Sequence, residues 1–356
     1  MKKDRYFSKT YRQARSRFRR AARRAGARTS SLHWGLRGPE NEKLSVDIAI
    51  LGAKRARRVL LHCSGIHGVE GFAGSAVQLD LLRHPPRIPA DGALVIVHCL
   101  NPYGMAYLRR ANENNVDLNR NFVERDGERK GAHDGYHRIH PLLNPASPPR
   151  YDFFTLRLLA RIVRHGFRYL RQAGAEGQYS YPRGLFFGGH RLEDGPLLFE
   201  RWIRKNLRKA RRVVAIDVHT GIGEIGRDWL ILERHHGEAF HRLLEKHYNG
   251  RLDTLDPENT IAYKVRGGLE LAIPRILKKA YVDFVTEEFG TGSGTGLLRA
   301  LRDENRLYHH VPDASPGHPV KRALLERFAP STALWRKRVL KDGRRLIRLA
   351  SRYLFE

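Results

Sequence analysis

The stretch LHCSGIHGVEG places His67 and Glu70 three residues apart in a glycine-rich loop behind a short apolar run. That spacing lets both side chains point one way from a turn entering a helix. A third candidate, His219, ends the apolar run VVAID-V-H, and Glu287 and Glu288 end the run VDFVT. Two imidazoles and a carboxylate suit a catalytic zinc, one per chain, with a coordination position left open for water. Between these sites, NPYGMAYLRRANENNVDLNRNF gathers Arg109, Arg110, Asn119 and Arg120 in one loop. One arginine there can polarise a substrate carbonyl, and another can grip a carboxylate bidentately beside a neutral asparagine. Other chemistries lack their signatures: HExxH, GxSxG, GxxxxGK[ST] and CxxC are all missing. A GxGxxG does occur at Gly221, Gly223 and Gly226, but a strand-like RDWLILER follows it. A dinucleotide site needs a helix N-terminus there.

Such residues must be carried on strand ends, and the apolar runs supply the strands. The pattern predicts strands over 44–51, 58–63, 93–100, 213–218, 229–232 and 282–288. Helices are expected over 6–26, 72–82, 152–172, 196–210, 236–248, 299–308 and 321–354. Residues 123–150, rich in Gly, Pro, His and charge, read as a long surface loop. Strands alternating with helices give an α/β class: a mixed, mostly parallel central sheet with helices on both faces and extra terminal helices. No repeat or internal boundary divides the chain. It reads as one catalytic domain over 1–356, with an N-terminal helix at 6–26, an insertion through 123–200 and C-terminal helices at 321–354. Strand alternation sends Glu287 and Glu288 to opposite faces, so only one can reach the site.

In order, HGVEG, NPYG with LRR and VDLNRNF, DVHTG and TEEFGTG resemble the zinc carboxypeptidases of the carboxypeptidase A type. A little-characterised bacterial branch is the nearest likeness, and it covers nearly the whole chain. Succinylglutamate desuccinylases and aspartoacylases share the zinc motif. The resemblance implies zinc ligation by His67, Glu70 and His219, and capture of the substrate's terminal carboxylate by Asn119 and Arg120. It gives Glu288 the role of general base and Arg109 that of oxyanion stabiliser, with Arg110 as the alternative register. Tyr263, in AYKVRGG, is the candidate for the family's mobile tyrosine. Asp217, two before His219, is a candidate to orient its imidazole. The implied reaction is hydrolysis of a peptide or amide bond next to a free carboxylate. The alternative is deacylation of an N-acyl amino acid.

Composition bounds these readings. The formal charge is +29, and residues 1–30 carry 12 Lys/Arg against one acid while 321–356 carry 11 against three. A third class, an anionic-surface or nucleic-acid binding protein on a hydrolase scaffold, follows from those basic ends. No nucleic-acid module accompanies them, so a nucleic-acid partner is not expected. Two cysteines cannot build a disulfide framework or a thiolate zinc site. No apolar run approaches the ~18 residues of a membrane span, and a cytoplasmic location is the default expectation.

Overall fold

A strand covered on both faces must be apolar at consecutive positions, and 58–63, 93–97 and 213–218 have that character. The computed structural model describes residues 5–232, 237–254 and 265–356. Those runs lie in the middle of one eight-stranded sheet. Its strands are β1 (Arg28–Leu32), β2 (Val46–Gly52), β3 (Arg58–Ser64), β4 (Gly92–His98), β5 (Arg212–Gly221), β6 (Asp228–Leu232), β7 (Leu252–Thr254) and β8 (Tyr281–Gly290). Their spatial order is β1-β2-β4-β3-β5-β8-β6-β7. The central β4, β3, β5 and β8 run parallel, while β1–β2, β2–β4 and β6–β8 are antiparallel pairs and β7 runs parallel to β6. The expected mixed, mostly parallel α/β sheet is the one that forms. Edge strands β1 and β7 lack the apolar runs that announce the others.

The helices are α1 (Tyr11–Arg24), α2 (Gly71–Arg83), α3 (Pro102–Ala106), α4 (Asp134–Leu143), α5 (Phe154–His165) and α6 (Phe167–Ala175). They continue as α7 (Asp194–Asn206), α8 (Glu238–Tyr248), α9 (Leu269–Ile276), α10 (Gly294–His310), α11 (Pro319–Phe328) and α12 (Ala333–Phe355). One sheet face packs Leu60, Ile96, Val214 and Ile216 against α1, α2, α8 and α12. The opposite face packs Val59, Leu61, Val95 and Ala215 against α7 and α9. A third cluster joins α4, α5 and α6 to α10 and α11 through Tyr136, Leu158, Leu170, Leu297 and Phe328.

Three local departures from the sequence reading have simple causes. Within the stretch expected to be loop, 134–143 folds as α4, where His133 caps the helix by accepting the Gly135 N–H at 3.0 Å. Its Pro141 and glycine hide the helical pattern. The helix expected over 152–172 breaks at Gly166, whose φ of +84° lies in the left-handed region. The segment 321–354 divides at Pro330, after which the Thr332 hydroxyl caps α12. Fully buried Trp335 on α12 donates Nε1–H to the Gly290 carbonyl at 3.0 Å, fixing the far end of β8.

Two imidazoles are locked between the sheet and its first helices. His98 on β4 pairs with the Ser75 hydroxyl at 3.0 Å and stacks on Phe18 with centroids 4.7 Å apart. His62 on β3 lies beside the Gln78 amide. Burial pushes both pKa values down to about 4, outweighing the nearby Asp217 and Asp47 carboxylates that favour protonation. The unfolded chain binds protons at these residues near pH 6.5, whereas the folded chain resists until about pH 4. Their linkage therefore leaves stability intact above about pH 6.5 and removes it as the pH falls toward 4, by up to ~3 kcal/mol apiece. Urea unfolding between pH 7 and pH 4 is expected to show that loss, with a shallower slope in His98→Gln.

Candidate metal centre

Strand β3 ends at Ser64, and the chain turns through Gly65 and Ile66 into a 3-10 turn, Gly68–Glu70, that leads into α2. His67 occupies the N-cap position of this turn, without a side-chain capping bond. A Cβ on Gly68 would come within 2.3 Å of the Gly104 and Met105 backbone, so only glycine permits this approach. The Gly68 and Val69 N–H groups donate to the Arg110 and Arg109 carbonyls at 3.2 and 2.9 Å. The arginine loop is thereby laid against the turn that bears Glu70.

His219 reaches the same point from β5, the neighbour of β3. His67, Glu70 and His219 are buried, and one nitrogen or oxygen from each lies within 4.8 Å of the others. His67 Nδ1 stands 3.1 Å from Glu70 Oε1, and His219 Nδ1 stands 3.4 Å from Glu70 Oε2. Each imidazole turns its other nitrogen to a buried aspartate: His67 Nε2 to Asp117 at 2.9 Å, and His219 Nε2 to Asp217 at 2.8 Å. A carboxylate only accepts, so both Nε2 atoms carry a hydrogen, and both Nδ1 atoms face the Glu70 carboxylate. Among the described residues, buried His67 Nδ1 makes no hydrogen bond. With their Nδ1 protons lost, the two imidazoles and the carboxylate are a donor set that could hold a metal ion, and their N/O chemistry fits zinc.

The field at the cluster is arranged around Glu70. Its Oε1 accepts Arg110 Nη1–H at 2.6 Å, and its Oε2 accepts the Thr220 backbone N–H at 3.0 Å. Arg110 also donates Nε–H to Asp117 at 3.2 Å, so one guanidinium bridges the carboxylates on either side of His67. Burial would raise the Glu70 pKa, but His67, Arg110 and His219 outweigh it and hold the group well below the usual range. Burial likewise opposes the charge on His219, and here Asp217 and Glu70 prevail and raise its pKa. The pocket favours positive charge.

Parallel pairing sets Glu288 of β8 directly opposite His219. Its Oε1 accepts the Ile222 N–H at 3.0 Å, from the glycine-rich turn after β5. Gly221, at φ +148°, starts that turn, and a Cβ there would meet Leu297, Phe328 and Glu288. Burial and the Glu70 charge push the Glu288 pKa up to about 7, against the lowering effects of His219, the Ile222 N–H and Arg110. Glu287 faces the other way, buried beneath α8 and α12. There, burial and the charges of Asp228 and Asp342 raise its pKa well above the carboxylate range, against Arg345.

Arg109 is not at the cluster, which corrects the register expected for it. Its guanidinium is buried among Glu304 at 2.8 Å, the Asn115 side chain at 2.8 Å and the Tyr308 ring. Successive residues of an irregular loop diverge, and here Arg110 takes the inward direction. Asn119 and Arg120 follow from Asp117, whose Oδ1 accepts the Asn119 N–H at 3.0 Å. Asn119 Oδ1 accepts the Leu269 N–H at 2.9 Å, and Arg120 donates to the carbonyls of Ala175 and Asn119. Both thus adjoin the cluster through Asp117 rather than contacting it. Tyr263 lies outside the described residues. The sequence reading misses Asp117, although the aspartate in VDLNRNF is a visible signal. It also misses the Thr220 and Ile222 N–H donors, which have no side-chain signature.

A family profile described as "Protein of unknown function (DUF2817)" matches residues 7–342. No curated protein matches the chain. Among solved structures, carboxypeptidase A from Helicoverpa armigera is similar at 12% identity and a TM-score of 0.47, over 92% of this chain and 75% of that one. Bovine thrombin-activatable fibrinolysis inhibitor, solved with tick carboxypeptidase inhibitor, is similar at 14% identity and 0.45, over 94% and 98%. A succinylglutamate desuccinylase from Silicibacter sp. TM1040 is similar at 15% identity and 0.38, over 80% and 67%.

The divergence of the two arginines is open to experiment. Arg109→Ala leaves buried Glu304, among the described residues, with Lys321 at 3.4 Å as its remaining cation, and is expected to cost on the order of 3 kcal/mol in urea unfolding. Arg110→Ala, half-buried at the rim, is expected to cost less stability.

Proposed function

The chain belongs to the DUF2817 family, and for this member of it we propose a zinc-dependent hydrolase that cleaves a peptide or amide bond adjacent to a free carboxylate. The observation that carries this reading is the convergence of His67 Nδ1, His219 Nδ1 and Glu70 at strand ends, with Glu288 paired opposite His219. In this reading His67, Glu70 and His219 hold one zinc ion. Bound there, zinc supplies Lewis acidity, polarising a carbonyl and making water a better proton donor.

The chain's own groups do the rest. Asp117 and Asp217 fix the tautomer and tilt of the two imidazoles. Glu288 keeps Oε1 on the Ile222 N–H, leaving Oε2 to take a proton from water and return it to the departing amine. Arg110 takes the charge-stabilising role that the resemblance gave Arg109, because it is the arginine at the cluster. Asn119 and Arg120 keep the substrate-carboxylate role that the resemblance gives them, for which buried Arg120 must turn from the Ala175 and Asn119 carbonyls it holds.

Metal analysis of the purified protein tests the ligand set: about one zinc per chain is expected, and either His67→Ala or His219→Ala removes it. Full occupancy in one of those variants refutes the assignment. Glu288→Gln should keep the metal and lower turnover by ~100-fold or more, while Glu287→Gln leaves turnover near wild type. Peptides with basic, acidic and apolar C-termini, screened beside N-acyl amino acids, separate the carboxypeptidase reading from the deacylase one.

A further inference from the structure

Helix α5 directs apolar side chains to both of its sides. Phe154 and Leu158 pack into the third cluster, but Leu156, Leu159 and Val163 point away from it and are 64, 52 and 87% exposed. At 100° per residue those three fall within an arc of about 60°. Tyr151 and Phe153, whose rings meet just before α5, and Phe167, which starts α6, are likewise 71, 57 and 59% exposed. Single exposed apolar residues are ordinary, whereas several along one helix face, with exposed aromatics at both ends, mark an interaction surface.

The charges around this face narrow what it meets. Residues 150–176 contain Arg150, Arg157, Arg161, Arg164, Arg168 and Arg171, against Asp152 and Glu176. Asp152 is engaged by Arg302 and by Arg157. Arg157 and Arg164 flank the apolar arc on one side and are exposed. An outward apolar stripe bordered by arginine is the pattern of a helix lying in the interface of an anionic bilayer. A second copy of a chain charged +29 would bring arginine against arginine. A nucleic acid would engage the arginines but leave Leu156, Leu159 and Val163 in water.

We propose that this face of α5 is a peripheral anchor for anionic lipid bilayers, with Leu156, Leu159 and Val163 entering the interface and the arginines meeting lipid phosphates. This inference is independent of the hydrolase reading. It also differs from attraction by the basic chain ends, because it requires the apolar side chains.

Co-sedimentation with vesicles tests it. The full chain should bind vesicles of equimolar phosphatidylglycerol and phosphatidylcholine at low salt, and bind phosphatidylcholine vesicles far less. Combined Leu156→Ser, Leu159→Ser and Val163→Ser should lower the partition coefficient by about tenfold or more with an unchanged circular-dichroism melt. If that variant is unstable, Val163→Ser alone should still weaken binding measurably. Arg157→Gln with Arg164→Gln should reduce both the binding and its salt dependence. The anchor is refuted if the wild type ignores anionic vesicles, or if the folded serine variant binds them as tightly as wild type. It is equally refuted if the serine substitutions instead dissociate a dimer in sedimentation velocity, or abolish retention on duplex DNA while vesicle binding persists.

Discussion

A carboxylate taken out of water must be given donors or cations, and Glu70 is given both. It is almost wholly buried, yet the two imidazoles, the Arg110 guanidinium and the Thr220 N–H keep it charged. Removing water makes each of these contacts stronger and makes any missing one expensive. The surroundings are accordingly built to a tolerance of tenths of an ångström. Gly68 lets the turn touch the Gly104 backbone, the contact aligns the arginine loop, and the loop delivers Arg110. Asp117 then ties the arginine to His67, and through its own Oδ1 to the backbone of Asn119.

The sheet supplies what the loop cannot. Parallel strands end at the same level, so β3, β5 and β8 bring the turn after β3, His219 and Glu288 to one edge. Alternation then sorts the acids, with Glu288 on the face of Asp217 and His219 and Glu287 on the face of α12. Helix α12 contributes at a distance, since its Trp335 holds the Gly290 carbonyl two residues beyond Glu288.

The parts legible in the sequence are those governed by period and by strand ends. Apolar runs mark β3, β4, β5 and β8, and the polar residues that terminate them are His219, Glu288 and, one turn later, His67 and Glu70. Irregular backbone is where legibility stops. No local preference distinguishes Arg109 from Arg110, because the choice depends on Gly68 meeting Gly104 about thirty-six residues away in the chain. Helix α4 is obscured by Pro141, and β1 gives no apolar signal because its side chains are largely outside the core. The backbone donors of Thr220 and Ile222 are invisible in principle, since every residue but proline offers the same N–H.

The position of β5 between β3 and β8 has a consequence for how the chain becomes a protein at all. The contact between Glu70 and Thr220 spans 150 residues, and the one between Ile222 and Glu288 spans a further 66. Contacts of that range form late and slowly. When β5 has docked on β3, the three clustered residues are already together, but the edge meant for β8 is a long, apolar, unpaired strand. Such an edge invites pairing with another chain until its own partner arrives. The arrangement that gathers the site at one rim thus makes any intermediate that lacks β8 an adhesive one.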